Sequence, residues 1–416
     1  MTSSTPALPL PESSFPLPKW QVRRPHWLAA AGVLFAVAWG GNEFTPLLAM
    51  YRIHEHMTTQ SVNILLGAYV LGIIPALLIG GPLSDLRGRR PLMHLAPALS
   101  ITGSLLLMFG SESHPLLFVG RIFSGLALGL VMAVGSSWIK ELSAAPFSPD
   151  AEPGAGARRA TMALTVGFAL GAVVAALLAQ FTPIPEIAPY LVNIVLTSVL
   201  WFVLIGTPET HPNSTGGHHE SLLDALRLRE AVSPRFLLIV LPMAPWVFGA
   251  AASAYAVLPS LVADQVPGFE VAFAGILCFI ALSFGVASQQ LARKFIKPHS
   301  QRAIASAMLA VIVGVAVAAV AAFTLNMAIT IAAAATLGFS YGLLLIAGLQ
   351  ETQRTARPEH LGGMVGVYYS LTYLGFFIPA ILSALAPMIS YGVMFIAGGV
   401  IATVSVLVIM AATKRL

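Results

Sequence analysis

The chain predicts an all-α membrane protein with twelve transmembrane helices, and three observations carry that reading. Of its 416 residues, 57% are hydrophobic and only 9% charged, with a mean hydropathy of +0.84, whereas a soluble domain carries about a quarter charged residues. A surface so poor in charge needs lipid as its solvent. Apolar runs of about 20 residues, the length that crosses a ~30 Å hydrocarbon core as helix, recur twelve times, and the basic residues gather on alternate connections between them.

Residues 1–26 open with "MTSSTPALPLPESSFPLPKWQVRR", rich in proline and serine and without an apolar h-region. They predict a disordered cytoplasmic tail, with the first apolar helix acting as an uncleaved insertion signal. Spans are predicted at 27–49, 60–82, 91–110, 115–138, 160–182 and 187–206, then at 235–260, 270–291, 302–323, 326–349, 361–386 and 390–411. The polar stretch 207–234 separates six spans from six, giving a first bundle over 27–206, a central cytoplasmic loop and a second bundle over 235–412. Within the loop, "SLLDALRLRE" has the pattern of a short amphipathic helix lying on the membrane surface. His218 and His219 are adjacent on a glycine-rich loop with no further ligand at usable spacing, so no metal is expected. The single cysteine, Cys278, lies in an apolar run and can form no internal disulfide.

Orientation follows from the basic residues. With the N-terminus inside, 20 of the 22 lysines and arginines fall on cytoplasmic segments; Arg52 lies outside and Arg121 within a span. The net charge of +5 is thereby a topology signal, with both termini cytoplasmic, and it calls for no nucleic-acid partner.

After the second span the chain reads "GGPLSDLRGRRPLM". Gly81 and Gly88 permit close helix packing and a tight turn. Asp85, at the membrane surface, can accept from a neighbouring helix N-terminus or pair with an arginine. Gly81, Asp85, Gly88, Arg89 and Arg90 thus form a candidate conformational latch. Together with Leu83 they fit G-x-L-x-D-r-x-G-r-r, which resembles the cytoplasmic signature of the major facilitator superfamily of secondary transporters. The corresponding loop of the second half, "GVASQQLARKF", aligns Gly285 with Gly81 and places Gln289 where the aspartate would be. A faded copy at the matching position predicts two six-helix repeats.

Two ionisable residues lie inside spans of the first half. Glu43, in "AWGGNEFTPL", is sixteen residues beyond Trp27, or ~24 Å along a helix. Arg121, in "LLFVGRIFSGLALGL", lies six residues from Pro115 at the opposite start, or ~9 Å. Their depths match, so they are expected to face one another across a cavity and partly offset each other's desolvation, with Asn42 beside Glu43 as a further binding group. Gly40, Gly41 and Pro46 weaken the helix there, consistent with a bend. The resemblance implies that spans 1, 4, 7 and 10 line the cavity. "RIFSGLALG" is similar to the R-x-x-x-G-x-x-x-G pattern of the proton-driven drug antiporter branch, with Ser124 in place of a glutamine, while on span 5 Ala172 replaces that branch's proline. Gly167 and Gly171 read as a close helix contact. In the second half Trp246, Tyr255 and Tyr341 are the candidate cavity-lining residues, with Tyr368, Tyr369 and Tyr373 nearby. Aromatic surface with one carboxylate would suit hydrophobic, cationic substrates.

The expectation from these residues is a multi-pass, monomeric protein of the cell (inner) membrane. It would move small molecules by alternating access, coupled to protons and directed to export of amphipathic compounds. Import of a nutrient or organic anion is the second possibility, and a non-transporting sensor the reading of another class. The sequence has no nucleotide-binding G-x-x-x-x-G-K-[ST] loop, no serine–histidine elbow and no paired acids on one helix face, so neither an enzyme nor a cofactor is expected.

Overall fold

The computed structural model describes residues 25–210, 229–295, 301–357 and 360–415. Most of the terminal tail lies outside these residues, as does most of the central loop with its surface helix and His218–His219. Among the described residues the secondary structure is entirely helical. Twelve helical passages follow one another: α1 (His26–His54), α2 (Thr59–Arg87), α3 (Arg89–Met108), α4 (His114–Leu142), α5 (Ala155–Phe181) and α6 (Ala188–Leu204). Then come α7 (Phe236–Leu261), α8 (Glu270–Phe295), α9 (Gln301–Thr324), α10 (Met327–Thr355), α11 (Leu361–Leu385) and α12 (Tyr391–Arg415). Eleven are long and apolar enough to cross a membrane; α6 is apolar but has 17 residues. The protein is a multi-pass membrane protein.

Local sequence explains the helix ends. Thr58 accepts from the Ser61 backbone N–H at the start of α2, and Asn326 accepts from that of Ile329 at the start of α10, each satisfying an orphan donor. Gly88 turns the chain between α2 and α3 at φ 92°, a conformation that favours glycine. The tight-turn expectation for Gly88 is met. The close-packing expectation for Gly81 is not, because a Cβ there would meet nothing within 4 Å. Its counterpart Gly285 is the packed one, where a Cβ would lie 2.6 Å from the Tyr341 ring.

Helix neighbours repeat between the two halves of the chain. In the first six helices α4 packs on α2 and α3, and α3 on α6; in the last six α10 packs on α8 and α9, and α9 on α12. The two sets meet chiefly where α2 runs along α11 and α5 along α8. The α1–α5 contact is backbone-close, since a Cβ on Gly167 or Gly171 would stand 2.4 Å from the carbonyl oxygen of Phe35 or Trp39. The close-contact reading of these two glycines therefore suffices.

The up-and-down course places residues 54–59, 181–188 and 261–270 at one end of the bundle, here called distal. The ends near residues 26, 88 and 204 lie at the proximal end. At the distal end the Gln180 side chain spans the two sets of helices. Its Nε2 donates to the Gly268 carbonyl at 2.8 Å, and its Oε1 accepts from the Ala272 N–H at 3.0 Å, in the first turn of α8. At the proximal end Glu351 pairs with Arg235 at 2.6 Å, while Arg357 and His360 pair with Glu230 at 3.2 and 3.0 Å. Glu351 is thus a terminal ion-pair residue and no cavity group.

Candidate functional site

Between the two sets of helices lies a narrow cavity with about 30 Å³ of room for water, the volume of roughly two to three water-sized spheres. Helices α1, α4, α7 and α10 all contribute to it, as expected, through Asn42, Arg121, Tyr255 and Tyr341. Four further helices also reach it: α2 with Tyr69, α5 with Phe168, α8 with Leu282, and α11 with Tyr373 and Phe376. The chain departs from regular α-helix beside it. Tyr255 sits on a π-helical turn (Ser253–Val257) and Phe376 on a 3₁₀ turn (Leu374–Phe377), local geometries common at functional sites.

Trp246 is not on the wall. It is partly buried against the outer core of the last six helices, towards Gly398 of α12. Phe248, two residues and about 200° further around α7, takes the place expected of it and lines the cavity.

The first-half charges are brought together without touching. Both Glu43 oxygens are fully buried and lack a hydrogen-bond partner. Arg121 is the charged group that acts on this carboxylate, yet the two form no ion pair among the described contacts. The Ser104 hydroxyl beside it gives its proton to Asn193 Oδ1 at 2.9 Å, and the Asn193 amide donates to the Ala36 carbonyl at 3.0 Å. Asn42, expected to serve the carboxylate, instead donates to the Phe168 carbonyl at 2.9 Å and accepts from the Thr45 hydroxyl at 2.8 Å. A buried ionised carboxylate with no donor costs several kcal/mol or more, and intramembrane ionisable groups so placed mark functional sites.

Arg121 is held by rings. Its guanidinium packs on Phe44 and on Tyr69, with the central carbon 4.3 and 4.2 Å from the two ring centroids, and its Nε donates to the Leu65 carbonyl at 3.3 Å. Its Nη1 and the Tyr69 hydroxyl have no hydrogen-bond partner, though both side chains are almost fully buried. Backbone proximity makes this arrangement possible: a Cβ on Gly41 would stand 2.4 Å from the Tyr69 hydroxyl oxygen, and one on Gly40 would stand 2.8 Å from the Asn193 amide. The glycine pair thus admits these side chains, and α1 runs as one helix from His26 to His54 across Pro46. Nothing in the sequence marks Phe44 and Tyr69 as partners of Arg121, because neither stands out in an apolar run.

The loop around Asp85 closes on the first half. Asp85 pairs with Arg89 at 2.5 Å, and Arg89 also pairs with Glu141 of α4 at 3.1 Å. The carboxylate at a helix N-terminus, a role the sequence offered to Asp85, belongs to Glu209. Its two oxygens accept from the Arg89 and Arg90 N–H groups at 3.0 and 2.8 Å, where the helix dipole favours negative charge.

Solved structures share this architecture. A POT family transporter in complex with 5-aminolevulinic acid superposes with a TM-score of 0.73 at 15% identity, covering 94% of this chain and 96% of that one. The nucleoside transporter NupG superposes with a TM-score of 0.69 at 14% identity, covering 94% and 99%. Among sequence relatives, a probable polyol transporter of Arabidopsis thaliana is 34% identical over 99 residues, 23% of this chain and 20% of its own length. The facilitated glucose transporter member 2 of solute carrier family 2 from Rattus norvegicus is 34% identical over 91 residues, 21% and 17% respectively. The match thus spans about a fifth of each relative's length. The description of the Major Facilitator Superfamily fits residues 28–380, and the chain belongs to that superfamily of membrane transporters.

Proposed function

We propose that the protein is a proton-coupled secondary transporter of small amphipathic molecules, working by alternating access, with Glu43 as its proton site. The observation that carries this is a carboxylate with both oxygens buried and undonated, within the field of an arginine that itself lines the cavity. Intramembrane ionisable groups are costly and are kept for function. A protonated Glu43 can offer its O–H to the Ser104 oxygen, whereas an ionised one needs water or Arg121 to move closer. Proton binding is thereby linked to how the helices pack around the site.

The two six-helix sets, 27–206 and 235–412, would rock about the cavity as bundles, α6 completing twelve spans. The basic residues argue for cytoplasmic termini in a cell membrane. In the present packing the Asp85–Arg89–Glu141 cluster would move as one body with the first bundle. A latch across the halves would belong to the opposite packing.

Export is the direction favoured by the span 4 resemblance. A second reading, import of a nutrient or an organic anion, is supported by one feature of the wall. Its single formal charge is Arg121, and Glu43 is not among the lining residues, which is unfavourable to cationic compounds. The test is proton flux in proteoliposomes carrying an internal pH dye, challenged with a panel of polyols, organic anions and lipophilic cations. Some compound should move protons with the wild type and none should with Glu43→Gln; equal proton flux in the two would remove Glu43 from coupling. The sign of the pH change separates exchange from co-transport.

A further inference from the structure

We infer that the cavity takes a flat organic anion, an aryl monocarboxylate, whose carboxylate sits on Arg121 and Tyr69 and whose ring lies against Phe248, Tyr373 and Phe376. The inference rests on the proton-site reading of Glu43 and adds to it the substrate class and the sense of coupling.

Charge comes first. Among the residues that line the cavity, Arg121 alone bears a formal charge. It is also incompletely used: Nη1 is without a partner on a residue 1% exposed, and the Tyr69 hydroxyl is without one on a residue 3% exposed. A buried donor left unmade is expensive, so two of them on one wall call for an acceptor. The Phe44 and Tyr69 rings both pack against the guanidinium, and the Leu65 carbonyl holds its Nε. The side chain is pre-organised with donors to spare, which is the geometry that receives a carboxylate.

The facing wall supplies the shape. Phe248 stacks on Tyr373 with centroids 4.4 Å apart and planes 24° apart, and Tyr373 on Phe376 at 5.7 Å and 15°. Phe248 and Phe376 close the group at 5.2 Å and 35°, so the three rings from α7 and α11 form an aromatic cluster against which an aromatic body can stack or pack edge-on. The anion-binding donors come from α2 and α4, the rings from the other set of helices. A ligand with a charged end and a flat body therefore bridges the two, and closing on it draws them together. The cavity as it stands has room for only two or three waters, so the ligand enters when the halves part.

Coupling follows from the same charges. An ionised Glu43 partly cancels the field of Arg121 and competes with the incoming carboxylate, while a protonated Glu43 leaves that field to the ligand. Anion and proton then favour each other's binding, and by linkage the effect is reciprocal. The anion and the proton travel together, which is co-transport.

The experiment measures binding of benzoate to the full-length protein in lipid nanodiscs, by calorimetry, against benzamide, benzylamine and acetate as probes lacking the charge, carrying the opposite charge or lacking the ring. Benzoate should bind about tenfold or more tightly than any of the other three, as expected for a charge-assisted site. Arg121→Gln should abolish that preference, and Phe248→Leu should weaken benzoate while sparing acetate. In the wild type, benzoate affinity should rise by up to about tenfold per pH unit towards acid, the limit for one linked proton, and Glu43→Gln should flatten that slope. Equal affinity for benzoate and benzamide, or tighter binding of benzylamine, overturns the substrate class, and this comparison on the wild type decides it even if Arg121→Gln does not fold. Benzoate preference with no pH slope leaves the anion site standing and removes Glu43 as the linked proton site, so the two failures are distinct.

Discussion

At the scale of residues, the site depends on side chains that are buried but not satisfied. Native interiors leave few polar atoms without partners, and here Glu43, Arg121 and Tyr69 are gathered in one place. Glycine at position 41 is what lets Tyr69 reach across to α1, since any Cβ would stand 2.4 Å from its hydroxyl oxygen. Gly41→Ala should therefore push the Tyr69 ring off the guanidinium. We expect a cost of about 1–3 kcal/mol, the range for overpacking, and loss of most transport while the protein still inserts and purifies. Thermal unfolding together with uptake or efflux by the variant checks this; unchanged transport would show that the ring–guanidinium contact is dispensable.

At the scale of elements, the contact to test is the Gln180 clamp between α5 and the start of α8. It is one side chain making two hydrogen bonds to the backbone across the two halves, so its loss is not shared with neighbours. Each such bond contributes roughly 0.5–1.5 kcal/mol net. Gln180→Leu, which keeps the bulk and removes both bonds, should shift the population towards a distally open form by about five- to a hundredfold. Spin labels on the exposed residues Phe181 and Phe269 read this as a longer or broader distance distribution. An unchanged distribution would mean that helix packing alone holds the distal end shut.

The same scale shows what the sequence could and could not say. Glu43 and Arg121 were legible because a charge in an apolar run has no bland explanation, and matching depths on neighbouring helices followed from the 1.5 Å rise. The helix order and the Gly88 turn were legible for similar reasons. The wall residues were not. A helix that is apolar all round carries no periodicity to mark its inward face, so the sequence does not distinguish Trp246, which lies off the wall, from Phe248, which lines it. Gly81 misled because a glycine in a packing pattern looks the same whether or not a neighbour is close. The partners of Asn42 and the acid at the α3 N-terminus depend on how distant helices cross, which no local pattern encodes.

At the scale of the whole molecule, two sets of helices with repeating neighbours enclose a cavity at their boundary. That cavity takes its charge from one set and most of its rings from the other. Transport on this account is the alternate opening of that boundary, and its energy source is a proton that Glu43 gains and loses as its surroundings change. Glu43→Gln keeps the shape of the protonated acid and should be well folded but uncoupled. The most direct measurement of the central claim needs no substrate: an infrared pH titration of the purified protein in lipid, following the carbonyl stretch of protonated carboxyl groups. A proton site at Glu43 requires a band that titrates in the wild type and is missing from Glu43→Gln. Identical titrations of the two proteins would contradict it and leave Glu43 a static part of the packing.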